Sequence, residues 1–192
     1  MAGVGTPMQI TAVDEYNDLF CVTDMFPSHI VEQVLSTPWT DLAWRRQEGQ
    51  EKWRRRRILD GEIAWQQSWD QHLQSIWPDI AQAVGRDVGA YIGTGWWLDE
   101  PGFTCSMHTD GEMPGSLHMI WIADTPALGT SFYHFNDQNT TRHHFLAQAN
   151  TGYIMINMPD ANQARHLQWH AMLTPVPADT IRVSSYTWIQ PK

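Results

Sequence analysis

The sequence is short of cysteine, of charge and of long apolar runs, and each shortage closes a class of function. Two cysteines, Cys21 and Cys105, lie far apart among 192 residues. They make neither a disulfide framework nor a zinc ribbon. No apolar run approaches the roughly 18 residues that a membrane span needs. The start, Met1 to Gln9, lacks the basic and apolar regions of a signal peptide. Charged residues make up only 17% of the chain, and the formal net charge is −9. That balance argues against nucleic acid as a general partner, because neutralising phosphates takes positive potential. No repeat or low-complexity segment occurs. The expectation is a soluble, cytoplasmic protein in a reducing compartment with no membrane partner. Its oligomeric state is not legible.

What is present suits one domain, 1–192, with a sizeable core. Eleven tryptophans are many for this length. Side chains so large and flat fill cores and line pockets. Residues 1–10 show no period and read as a frayed terminus. Leu19 to Val22 is a short apolar strand. Ile30, Val31, Val34 and Leu35 recur at helical spacing, so Ser28 to Ser36 reads as a helix, capped by Ser28 and stopped before Pro38. Trp65, Trp69, Leu73, Ile76, Ile80 and Val84 form one stripe, which makes 64–84 the main helical region, with Pro78 expected to kink or restart it. Lys52 to Arg57 holds five of the twelve basic residues. A charge run of this kind is read first as a solvated edge, and more pointedly as a basic lip for an acidic substrate.

From Gly89 onward the pattern changes to short β runs divided by turn residues. Strands are expected over 91–98, 103–108, 117–123, 130–135, around Phe145, and over 152–158, 167–174 and 180–189. Asp99-Glu100-Pro101-Gly102 is a strong turn. Leu117 to Ala123 is apolar on both faces and is therefore covered on both. The expected fold is mainly β with N-terminal helices: a sandwich or jelly roll over 89–192, with the helices of 1–88 packed on one sheet.

The chemistry gathers at His108-Thr109-Asp110. One His-x-Asp pair is close to what chance supplies in a chain with this many histidines and aspartates, so its weight comes from context. His170 offers a third ligand sixty residues after Asp110. Two histidines and one carboxylate on one face of a metal leave positions open, which suits Fe(II) better than four-coordinate zinc. His166 has the same strand parity as His170 and is its rival. Arg182 and Ser184 lie two apart on one strand face with Tyr186 and Trp188, whereas Ile181, Val183 and Ile189 point the other way. An inward guanidinium beside a hydroxyl is a receptor for a carboxylate. His118, in a strand soon after the pair, reads first as a surface or hydrogen-bonded histidine and could also support the metal ligands. His134, His143 and His144 read as surface or hydrogen-bonded histidines. Trp96, Trp97, Trp121 and Trp169 could wall a pocket or fill the core.

These residues resemble the Fe(II)/2-oxoglutarate-dependent oxygenase superfamily from about Leu19 to the end, through His108-Thr109-Asp110, the distal His170, and Arg182-Val183-Ser184. The early strand and helix resemble the prolyl-hydroxylase-like branch. The resemblance implies a double-stranded β-helix and Fe(II) held by His108, Asp110 and His170. It implies that Arg182 and Ser184 hold the distal carboxylate of 2-oxoglutarate, and that O₂ is the other co-substrate. The implied reaction releases succinate and CO₂ and hydroxylates a C–H bond of a small-molecule or peptidyl substrate. Relatives that halogenate lack the carboxylate present here as Asp110. Two other readings stand beside it: a cupin-like metal enzyme that does not use 2-oxoglutarate, and a β-sandwich binding protein with no activity.

Overall fold

The structure, a computed structural model, describes residues 7–46, 55–85, 88–89, 91, 93–111, 113–157 and 168–190. Among these are two α-helices, α1 (Ser28–Ser36) and α2 (Gln66–Val84). Twelve strands accompany them in chain order: β1 (Gln9–Ala12), β2 (Leu19–Thr23), β3 (Trp44–Arg46), β4 (Arg56–Leu59), β5 (Thr94–Asp99), β6 (Cys105–His108), β7 (Gly115–Ile122), β8 (Thr130–His134), β9 (Asp137–Phe145), β10 (Thr151–Ile156), β11 (His170–Met172) and β12 (Arg182–Ile189).

The helices form as their stripes require. α1 buries Ile30 and Val34. Pro27 rather than Ser28 holds its capping position, and no side chain caps it. α2 buries Trp69, Leu73, Trp77, Ile80 and Val84, a stripe that runs unbroken past Pro78. The expected restart there does not occur. Pro78 cannot donate to the carbonyl of Gln74, but Trp77 and Ile80 are anchored on either side of it. Gly85 then ends the helix with a left-handed φ of 65°.

The strands make two antiparallel sheets. The larger runs β1-β2-β10-β7-β12-β5-β4-β3 and the smaller β6-β11-β8-β9. Three strands fall where the sequence pattern shows none. β1 pairs with β2, so the terminus is tied into the sheet from Gln9. β3 and β4 extend the other edge beyond β5. Residues 1–88 thus supply four strands as well as both helices, and are more than a helical support.

One face of the larger sheet packs on the helices. Leu117, Met119 and Trp121 of β7 and Val183 and Ile189 of β12 meet Ile30, Val34, Trp69, Leu73 and Ile80 there. Burying one such side chain contributes about 1.5–3 kcal/mol. Trp96 and Trp121 belong to this core, each in ring contact with Trp69. The other face turns to the smaller sheet. Ile120 packs with Cys105 and Met172, and Tyr153 and Met155 pack with Phe132 and Phe145. β7 is buried over Gly115–Trp121 because both faces are covered.

Candidate metal centre and its cavity

His108 and His170 meet because their strands do. β6 and β11 are antiparallel neighbours, and the two histidines are register partners, with ring centroids 4.3 Å apart. Asp110 lies just past the end of β6, where Gly111 takes a left-handed φ of 64° that costs a residue without Cβ little. The turn brings Asp110 Oδ1 to 3.5 Å from His108 Nε2 and 3.7 Å from His170 Nε2. One ligand atom from each of the three residues lies within 4.8 Å of the others. His166 lies outside the described residues.

The backbone prepares both rings in the same way. His108 Nδ1–H donates to the carbonyl of Ser106 at 2.8 Å, and His170 Nδ1–H donates to that of Gln168 at 2.9 Å. A carbonyl only accepts, so each Nδ1 carries a proton and each Nε2 is left to face Asp110. Fixing the tautomer through the far nitrogen is how metal-binding histidines are oriented. The donor set and its orientation therefore fit a divalent cation.

Without a cation the three residues compensate one another. Burial pushes the His108 imidazole down, but hydrogen bonds to Asp110 and Cys105 outweigh it and hold it at about 10. Burial pushes the Asp110 carboxyl up, and the His108 hydrogen bond with the nearby positive charges brings it below its ordinary range. His170, more deeply buried, is shifted down by loss of hydration.

Arg182 lines the same cavity as the three residues, as does Arg56. The link between the two arginines is Asp99, the last residue of β5. It is the register partner of Arg56 on β4 and of Arg182 on β12, so the three side chains stand in one row across three strands. Arg56 grips both carboxylate oxygens, with Nε–Oδ1 at 2.6 Å and Nη2–Oδ2 at 2.9 Å. Arg182 Nη1 donates to Oδ2 at 2.6 Å, and its Nε donates to the Leu128 carbonyl. Asp99 has 0% of its surface exposed and Arg182 1%. A buried charge is tolerated only when paired in this way. The Arg56 guanidinium also stacks over the rings of Trp97 and Phe103, at 4.3 and 4.5 Å from their centroids.

The expected face of β12 is present. Tyr186 lines the cavity with Arg182, and Trp188 lies beyond it, half exposed. Ser184 is buried, its hydroxyl accepting from Arg182 Nη1 at 3.5 Å. Of the four candidate wall tryptophans, Trp97 lines the cavity.

Two charged members of this site escape the sequence pattern. Asp99 falls in a stretch that reads as a turn, and Arg56 in one that reads as a solvated charge run. The neighbours of Arg56 do behave as edge residues: Arg57 pairs with Glu100, and Arg55 donates to the Pro101 carbonyl. Arg54 lies outside the described residues. The one signal for Asp99 is a carboxylate directly after the apolar Trp96-Trp97-Leu98.

No protein-family model and no curated protein matches the sequence. Solved structures do match the fold. The collagen prolyl hydroxylase of Paramecium bursaria Chlorella virus-1, in complex with 2-oxoglutarate, has a TM-score of 0.61 at 10% identity, covering 91% of this chain and 96% of its own. An oxidoreductase of the 2OG-Fe(II) oxygenase family from Burkholderia pseudomallei gives 0.62 at 8% identity, over 99% and 95%. HygX of Streptomyces hygroscopicus, with nickel, 2-oxoglutarate and hygromycin B bound, gives 0.58 at 9% identity, over 91% and 83%. The chain has the fold of the 2-oxoglutarate–Fe(II) oxygenases, prolyl hydroxylases among them.

Proposed function

We propose that the chain is an Fe(II)- and 2-oxoglutarate-dependent dioxygenase that hydroxylates a C–H bond of a small-molecule or peptidyl substrate, releasing succinate and CO₂. The observation that carries this reading is the convergence of His108, Asp110 and His170 on a cavity that Arg182 and Arg56 also line. We read the two facing sheets as a double-stranded β-helix core over 89–192, and 1–192 as one domain.

In this reading His108 Nε2, Asp110 and His170 Nε2 would hold the iron. Bound iron would supply the oxidative decarboxylation of 2-oxoglutarate by O₂ and the oxidising power for the C–H bond. Asp110 is present as a carboxylate, which favours hydroxylation over halogenation. Arg182 holds the distal carboxylate of 2-oxoglutarate, and Ser184 steadies its guanidinium. Arg56, Asp99 and Arg182 carry two positive charges and one negative. Their net charge of +1 matches one carboxylate. Walls such as Trp97, Met172 and Tyr186 keep water from the reacting groups.

The test is succinate formation from 2-oxoglutarate with Fe(II) and O₂, run across a panel of amino acids, prolyl peptides and small metabolites. One class of substrate should stimulate turnover, and His108→Ala should abolish it. Turnover that survives both His108→Ala and His170→Ala would refute the reading.

A further inference from the structure

His118 is a buried polar side chain in the cavity that the reading above leaves without a task. It stands on β7 between two cavity-lining neighbours, paired in register with Tyr153 of β10 and Tyr186 of β12. Residues opposite one another on adjacent strands share a face, so its ring belongs to the cavity side, as Tyr153 and Tyr186 do. Its Nδ1 is 2.5 Å from the Tyr153 hydroxyl. Its Nε2 is buried and meets no hydrogen-bond partner among the described residues. Native folds rarely leave such an atom unsatisfied, because it loses its hydration and receives nothing in return.

We propose that His118 is a further donor at the carboxylate end of the cavity, its Nε2–H hydrogen-bonding the distal carboxylate of the bound 2-oxo diacid. The proposal rests on the dioxygenase reading and deepens it. The charges around the ring decide what it meets. Burial first, and then the charges of Arg182 and Arg56, keep it neutral, and with both guanidiniums lining the cavity an anion is the ligand this end attracts. A neutral imidazole serves an anion only through its N–H, which must then be at Nε2. Tyr153 secures that tautomer. Its phenol O–H has His118 Nδ1 as its hydrogen-bond acceptor among the described residues. The pair Tyr153–His118 ends at Nε2, which meets no protein partner among the described residues. Tyr153 is thus a positioning residue, and His118 touches the ligand.

The test is calorimetric binding to protein loaded with Mn(II) in the absence of O₂, with two probes. 2-Oxoglutarate carries the distal carboxylate, whereas pyruvate presents the same 2-oxo acid to the metal without it. His118→Leu should weaken 2-oxoglutarate about tenfold or more and leave pyruvate unchanged. His118→Gln, which keeps a donor at nearly the same reach, should recover most of the loss. Nitrogen-15 NMR of the wild type should show the His118 proton on Nε2, moving on addition of 2-oxoglutarate but not of pyruvate. Equal weakening of both probes, no weakening of either, or a proton on Nδ1 would overturn the inference while the dioxygenase reading stands. A wild-type protein that prefers neither probe would overturn the carboxylate end itself, and this inference with it.

Discussion

Asp99 is the residue on which the buried arginine pair depends. It faces two guanidiniums with none of its surface exposed, so removing it strands two buried positive charges. Asp99→Ala should lower stability by about 3–5 kcal/mol, read as a reduced urea midpoint of the metal-free protein. Arg182→Ala should cost less, because Arg56 still neutralises Asp99 through two hydrogen bonds. At the metal end the decisive residue is His108. Its imidazole rises from an ordinary 6.5 to about 10 beside Asp110, so a cation must displace a proton to bind. Metal affinity should therefore increase by about tenfold per pH unit as pH rises toward 10. The metal-free protein responds in the opposite sense. The stability contributed by protonated His108 is fully present below 6.5 and is lost as pH rises through about 10. Thermal unfolding with and without Mn(II) should show the two trends diverging between those limits. Parallel trends would contradict the pairing of His108 with Asp110.

At the scale of elements, two glycines sit where a side chain has no room beside neighbouring backbone. A Cβ on Gly129 would lie 1.7 Å from the Phe145 carbonyl oxygen, and one on Gly152 would lie 2.2 Å from that of His118. Both neighbours are backbone and cannot turn aside. Gly152→Ala should therefore pry β10 from β7 and destabilise by at least 1–3 kcal/mol, a range typical of overpacking at about one methyl. Amide exchange should quicken first along Thr151–Ile156. Pro78→Ala should do the reverse, restoring the missing donor to Gln74 and raising the melting temperature. A lower melting temperature would mean that Pro78 fits its site better than helix propensity allows. These elements also mark what local pattern can reveal. Strand parity is local, so the shared face of Arg182 and Tyr186 is legible in the sequence alone. So is most of the stripe of α2, although the sequence pattern takes the half-buried Ile76 where the helix buries Trp77. The row Arg56–Asp99–Arg182 is not legible, since its partners are 43 and 83 residues apart and meet only through sheet register. β4 is masked because its arginines look like solvated charge when their cross-strand partner is unknown.

For the whole molecule, the two sheets and the helical layer divide the labour. The helices bury one face of the larger sheet, and its other face holds charged groups in register. The smaller sheet brings His108 and His170 across from them. The tryptophan-rich composition follows from this division, because Trp69, Trp96 and Trp121 fill the supporting layer while Trp97 alone of these turns to the cavity. The most direct test of metal and diacid sharing one cavity is an anaerobic calorimetric titration with Fe(II), followed by 2-oxoglutarate. The wild type should take up one equivalent of each. His108→Ala should lose the metal, and Arg182→Ala should keep the metal but bind 2-oxoglutarate at least tenfold more weakly. A wild-type protein that takes up no Fe(II), or a His108→Ala variant that takes it up unchanged, would contradict the assignment.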